Sequence, residues 1–242
     1  MGEGLSYKSW LSIRDVPSMG TSSSVPGLKV KRPVHMLSEL ETTYFYLTER
    51  APTVVDIREQ WPILDIDRTL RLCSDLGVRH GYRGSYPEPF TIDFLITEER
   101  NGIVSFRAAS IKTAKDALDP KVRQRLAVEY AWCSERGIPW TLVDTSVFDK
   151  TLLNTLRYIR RWFQNQYRPD SDRADFFAQT FLALYRPNVT LQSLLNTLAR
   201  RLRIPDPELI DIFCYCAWSN RVPISLQHPV LMNRPLVLAR IA

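Results

Sequence analysis

The chain has 242 residues, 45% of them hydrophobic and 24% charged, the proportions of a globular protein with a sizeable core, and these exclude a disordered or fibrous chain. A net charge of +6 and a pI near 9.2 suit phosphate-bearing partners without demanding them. No apolar run reaches the length of a membrane span and no basic-then-apolar leader opens the chain, so the expected setting is cytoplasmic, without a membrane partner.

Residues 1 to about 34 are polar and read as an N-terminal arm, loosest over Thr21 to Gly27, with one ordered piece from Trp10 to Gly20. The first helix follows. Ser38-Glu39-Leu40-Glu41 fits a capping box, with Ser38 as N-cap. Leu37, Leu40, Tyr44 and Leu47 step at three and four, which predicts a core-facing stripe with Glu41 on or beside it. Glu41 is then either a cap of its own helix or a candidate metal ligand. Thr53 to Ile57 reads as a strand that runs into Arg58-Glu59-Gln60-Trp61-Pro62-Ile63. Asp65 to Pro89 is polar, and its Arg79 to Gly84 loop interleaves basic and aromatic residues in a way that suits a phosphate backbone.

Thr91 to Lys112 predicts a hairpin. Alternation puts Ile92, Phe94 and Ile96 on one face and Asp93 on the other. The polar turn Glu98-Glu99-Arg100-Asn101-Gly102 contains the Asn-Gly signal of a tight hairpin, and the return strand brings Ser110 and Lys112 side by side. A carboxylate on one strand and a lysine at the end of the next can hold a divalent cation beside an attacking water and a phosphate. An ordinary charged surface hairpin has the same pattern. A helix is predicted from about Lys121 to Arg136, ended by Gly137 and Pro139, with Glu129 on its Val122–Leu126–Cys133 stripe. Trp140 to Val143 completes an α/β core with a mixed sheet.

Glu41, Asp93, Lys112 and Glu129 are all plausible on the inner side of that core. Crowded acids need a cation to offset their repulsion, and Mg2+ would do so. Cys73, Cys133, Cys214 and Cys216 are scattered, and His35, His80 and His228 lie far apart. A metal here is expected on oxygens.

From Thr151 the pattern is helical. Leu152 to Tyr167 is basic and aromatic, and Arg168 to Asp175 is a polar break taken as the domain boundary. Helices then span Asp175 to Leu184, Leu191 to Leu202 and Pro207 to Trp218, followed by strand-like pieces at Arg221 to Leu226 and Pro235 to Ala242. Three helices and a ribbon are the order of a winged helix. Its third helix is acidic and apolar, a poor reader of DNA. A protein partner, or DNA contact through Arg200 and Arg201, is favoured instead.

Several separated motifs occur in the order and spacing of the TnsA family. They are Trp10-Leu11-x-Ile13-x-Asp15-Val16-Pro17-Ser18-x-Gly20, Leu37-Ser38-Glu39-Leu40-Glu41, Val55-Asp56-Ile57-Arg58-Glu59-Gln60-Trp61-Pro62, Ile92-Asp93-Phe94 and Ile138-Pro139-Trp140. The resemblance covers about residues 7 to 144 and is weak beyond 150. It implies the endonuclease subunit of a heteromeric bacterial cut-and-paste transposase, with a type II restriction-endonuclease-like fold, cutting the 5′ ends of a transposon. It also implies a TnsB-type transposase for the 3′ ends and a TnsC-type ATPase regulator. The family's catalytic acids fall on Glu41 and Asp93, its lysine on Lys112 and a further helix glutamate on Glu129. The expected cofactor is Mg2+, two ions per site, with Mn2+ able to substitute. Where the wider nuclease superfamily has an acid two residues before the lysine, this chain has Ser110. The Ile111 carbonyl or a water then stands in as a ligand, and Lys115 is a rival to Lys112.

The expected organisation is an arm (1–34), a restriction-endonuclease-like catalytic domain (35–168) and a helical, winged-helix-like partner-binding domain (169–242). Candidate DNA contacts are Arg79, Arg83, Arg160, Arg161, Arg200 and Arg201. The alternatives are a non-catalytic DNA-binding scaffold with a nuclease fold, a stand-alone restriction or repair nuclease and, last, a winged-helix transcriptional regulator.

Overall fold

The structure, a computed structural model, describes Gly2, residues 4–15 and residues 22–239; the Val16 to Gly20 part of the N-terminal motif lies outside these. The chain divides into two compact units, Met1–Val147 and Phe148–Ala242.

The first unit is built on a four-stranded sheet of β3 (Val54–Ile63), β6 (Phe90–Arg100), β7 (Ile103–Ile111) and β8 (Trp140–Val143), in that spatial order. β3 and β7 pair antiparallel with β6, while β8 pairs parallel with β7, so the sheet is mixed as expected. The parallel step is closed by α3 (Pro120–Ser134). Asp119 caps that helix by accepting the amides of Lys121 and Val122, and Gly137 ends it with φ +63°, a left-handed turn that glycine adopts without a Cβ clash. The β6–β7 turn is tighter than expected. Strand pairing continues through Arg100 opposite Ile103, and only Asn101 and Gly102, both at positive φ, form the bend, as a two-residue hairpin requires.

Both ends of α1 (Glu39–Arg50) are held by local chemistry. Ser38 accepts the Glu41 amide at its N-terminus. The expected Leu37–Leu40–Tyr44–Leu47 stripe is only half-buried, and Glu41, Phe45, Thr48 and Glu49 form part of the buried face instead. α2 (Ile66–Asp75), in a stretch expected only to be polar although Ile66, Leu70 and Cys73 step at four and three, buries Thr69, Leu72 and Cys73. Leu72 and Cys73 join Ile92, Leu95, Val128, Trp132 and Cys133 in one apolar cluster. A short hairpin of β4 (Tyr82–Arg83) and β5 (Tyr86–Pro87) follows.

The described part of the supposed arm is packed rather than loose. β1 (Ser23–Pro26) pairs with β2 (Pro33–Met36), Tyr7 is buried, and its hydroxyl donates to the Glu59 carbonyl at 2.7 Å. Arg32 reaches Glu59 through two nitrogens at 2.9 and 2.7 Å, a forked pair that matches the carboxylate geometry and offsets the cost of burying both charges.

The second unit holds α4 (Lys150–Ile159), α5 (Arg161–Gln164), α6 (Ser171–Leu184), α7 (Leu191–Leu202) and α8 (Asp206–Trp218). The break therefore falls at 147/148 and not near 168. α4 and α5 pack on α8, with the Trp162 and Tyr215 rings edge-on at 5.0 Å. α8 is the central helix, burying Leu209, Ile212, Phe213, Cys214, Cys216, Ala217 and Trp218. The two expected C-terminal strands are reduced, among the described residues, to isolated bridges pairing Ile224 with Leu238 and Thr190 with Pro235. Pro223, Pro229 and Pro235 each lack the amide a ladder needs.

Candidate active site

β6 carries Asp93 one residue before the last registered pair with β7, Phe94 and Ala109. The strand ends there converge. The Asp93 carboxylate, 8% exposed, accepts the Ile111 amide at 2.6 Å and the Lys112 ammonium at 2.7 Å. Lys112 also donates to the Ile111 carbonyl at 2.9 Å, and its own carbonyl accepts from the Thr145 hydroxyl at 2.8 Å. Lys112 is thus fixed at both ends of the residue, just past the end of β7. Lys115 is exposed, in the turn that leads to residues 116–118, and takes no part in this arrangement.

Glu41 enters from the first turn of α1. It both caps its helix and lies beside Asp93. Its carboxylate accepts the Leu37 amide at 2.9 Å, the Ser38 hydroxyl at 3.1 Å and the Gln60 side-chain amide at 3.4 Å. Burial and then the Asp93 charge push its pKa up to about 7. Glu129 enters from α3 and accepts the Ser110 hydroxyl at 2.6 Å. Its pKa is likewise pushed up to about 7, by burial and then by Asp93. Burial works against the Lys112 charge, but Asp93, Glu129 and Glu41 outweigh it and hold the ammonium above its ordinary pKa. Three acids and one lysine therefore share one electrostatic environment, with fewer positive than negative charges if all are ionised.

The four residues singled out in the sequence are brought together. Ser110 sits where a further acid was expected, and Glu129 reaches that position from the neighbouring helix. Among the described residues no group of three or more His, Cys, Asp and Glu is arranged to hold a metal ion. The donor set is two carboxylates, Glu41 and Asp93, with the Ile111 carbonyl alongside. These are hard oxygens, and the mutual influence of the two acids is what a divalent cation would relieve. The set fits Mg2+ or Mn2+ on those grounds. The Ile111 carbonyl and the Asp93 oxygen that holds Ile111 also accept from Lys112, so the ammonium and a cation compete for them.

Among the candidate DNA contacts, Arg79, Arg83, Arg161, Arg200 and Arg201 are exposed. Arg160 is not. It is fully buried, with its guanidinium over the Phe163 ring at 5.0 Å and near the Trp218 ring at 5.9 Å. A side chain enclosed by aromatic faces cannot meet a phosphate, so Arg160 is a core residue of the second unit. Arg79 lines a recess of about 510 Å3 with Gly81, Tyr82, Lys121 and Arg125. Arg125 precedes Glu129 by one turn of α3. Sequence reasoning missed Lys121, Arg125 and Gln60. The first two look like a solvated helix face, and Gln60 sits in a strand whose alternation gives no hint of its role.

Residues 51–145 match the family model described as the TnsA-like endonuclease N-terminal domain. The span contains Asp93, Ser110, Lys112 and Glu129, while Glu41 lies ten residues before it. The chain is also 32% identical, over 158 residues, to the Transposon Tn7 transposition protein TnsA of Escherichia coli; the alignment takes in 65% of this chain and 57% of that protein. The chain thus spans little more than half the length of that relative. The likeness to TnsA falls on the mixed α/β unit, whose acids and lysine gather at one end of the sheet, within the matched span and just before it.

Proposed function

We propose that the chain is the Mg2+-dependent DNA endonuclease subunit of a cut-and-paste transposase, cleaving the 5′ ends of the transposon. The observation that carries this reading is Asp93, whose carboxylate is fixed by the Ile111 amide and the Lys112 ammonium between two further buried acids. The likeness to TnsA supports it, and so does a restriction-endonuclease-like reading of the mixed sheet. By the same likeness the partners are a TnsB-type transposase that cuts and joins the 3′ ends and a TnsC-type ATPase regulator.

Glu41 and Asp93 would hold the cation, with the Ile111 carbonyl as a third oxygen. When bound, the ion would lower the pKa of a coordinated water and polarise the scissile phosphate. Lys112, held above its ordinary pKa, stays charged at neutral pH. It is therefore suited to orienting the water and offsetting charge on the pentavalent phosphate, and not to removing a proton. Glu129 holds Ser110 and adds negative potential that favours a cation. The Arg79–Lys121–Arg125 recess, one helical turn from Glu129, offers the cationic surface a DNA backbone needs. Beyond α4 and α5, the second unit supplies α6, α7, α8 and bridged C-terminal segments, which we read as winged-helix-like and partner-binding.

The test is strand-resolved cleavage of labelled transposon-end DNA with Mg2+ and the partner subunits. Wild type is compared with Asp93→Ala and Lys112→Ala. Loss of only the 5′-strand cuts in both variants is the expected result, and full cutting by either refutes the assignment. A non-catalytic scaffold is the second reading. It is favoured by one observation, that Lys112 already engages Asp93 and the Ile111 carbonyl, with Ser110 in place of an acid. Failure of wild type to bind Mn2+ or to cut would establish it.

A further inference from the structure

Gln60 lies in the interior of β3, yet its φ is +46°, the left-handed region that residues with a Cβ rarely occupy and that occurs in strands only where surroundings enforce it. It is 2% exposed. The registered pairs on either side of it are Glu59 with Phe94 and Trp61 with Ile92, so the count places Gln60 across from Asp93, where it is skipped in the pairing. Its side-chain amide nitrogen donates to Glu41 at 3.4 Å. The backbone around it is held from outside the sheet. The Gln60 carbonyl accepts the Trp10 amide at 3.2 Å, and the adjoining Glu59 carbonyl accepts the Tyr7 hydroxyl at 2.7 Å.

We infer that Gln60 is a positioning residue of the cation site, held in its left-handed conformation by the Tyr7–Trp10 segment so that its amide fixes the Glu41 carboxylate next to Asp93. The inference rests on the cation reading given above and adds a residue and a segment to it. A residue with ordinary strand φ at position 60 would place its side chain by the regular alternation of β3, and Glu41 would keep only the bonds to its own helix start. Hydrogen-bond partners that orient metal-binding carboxylates govern affinity even though they do not touch the ion. Trp10, in the first sequence motif, and Gln60, in the third, thereby become parts of one support for a glutamate in the second.

The test uses Mn2+ as the probe, bound to the full chain without DNA and measured by titration calorimetry beside a thermal melt. Gln60→Gly removes the amide and suits the positive φ. Gln60→Met keeps the bulk and removes the donor. Both variants are expected to stay folded and to bind Mn2+ about 10-fold or more weakly than wild type, and Trp10→Pro, which deletes the amide that holds Gln60, should weaken it in the same direction. A purely structural role for Gln60 would move the melt and leave Mn2+ binding alone. Mn2+ binding equal to wild type in a folded Gln60→Gly or Gln60→Met, while Asp93→Ala loses it, overturns the inference and leaves the cation site standing. Binding unaffected in Asp93→Ala overturns the cation site itself, and this inference with it.

Discussion

Glu129→Gln tests how strongly the fold resists a charge at this position. The Glu129 carboxyl is raised from 4.5 to about 7, chiefly by burial and then by Asp93, with Ser110, Lys112 and Arg125 pulling the other way. Below about pH 4.5 the group is protonated in both folded and unfolded chains. Between 4.5 and 7 the folded protein keeps a proton that the unfolded chain has lost, so stability falls as pH rises. Above about 7 both are ionised and the slope vanishes. At about 1.4 kcal/mol per pH unit, the gap between 4.5 and about 7 amounts to roughly 3 kcal/mol. A glutamine has the same shape and still offers an oxygen to the Ser110 hydroxyl, but it does not titrate. The variant should therefore be more stable than wild type by about 2.5 kcal/mol more at pH 8 than at pH 5, since the part of the gap below pH 5 is common to both measurements. Glu41 is present in both proteins, so its own titration largely cancels. The assay is urea unfolding of both proteins at the two pH values, with a metal chelator present and tryptophan fluorescence as the signal; Trp132 lies on the same helix as Glu129. A difference between variant and wild type that is equal at pH 5 and pH 8 would refute the reasoning, because it would mean the carboxyl ionises as freely in the fold as in the unfolded chain.

Arg32→Ala leaves Glu59, which is fully buried, without its forked partner, and should lower stability by about 3–5 kcal/mol, read as a drop in the urea midpoint. Arg160→Ala removes a buried guanidinium from two aromatic faces; a loss of about 2 kcal/mol in chemical unfolding, with the salt dependence of DNA binding unchanged, is expected of a core residue. A reduced salt slope would return Arg160 to the DNA surface. Alanine at Arg79, Lys121 or Arg125 should each reduce the slope of log Kobs against log salt for transposon-end DNA by about 1. Unchanged slopes for all three would take the recess off the DNA path.

The sequence alone determined the chemistry available and the local elements. Asn101-Gly102 marked the hairpin, because few residues accept the positive φ of both bend positions. Ser38 marked a helix start, and Gly137 a helix end, because capping is decided by side chains within a few residues. Spacing along the hairpin put Asp93 and Lys112 near its paired ends, and several short motifs in order pointed to TnsA. Tertiary structure decided what each group faces. That Glu129 reaches back to Ser110, that Lys112 and not Lys115 meets Asp93, and that Arg160 is enclosed by rings all depend on packing between elements far apart in sequence. α2 was legible in the helical spacing of Ile66, Leu70 and Cys73, a short period easily lost among polar neighbours. α4 and α5 were assigned across the wrong boundary because a polar break resembles a linker, whereas packing on α8 decides which unit they join. Gln60 was the least legible residue: its left-handed φ is imposed by contacts from Tyr7 and Trp10, fifty residues upstream, and no local pattern records a conformation that only distant partners enforce.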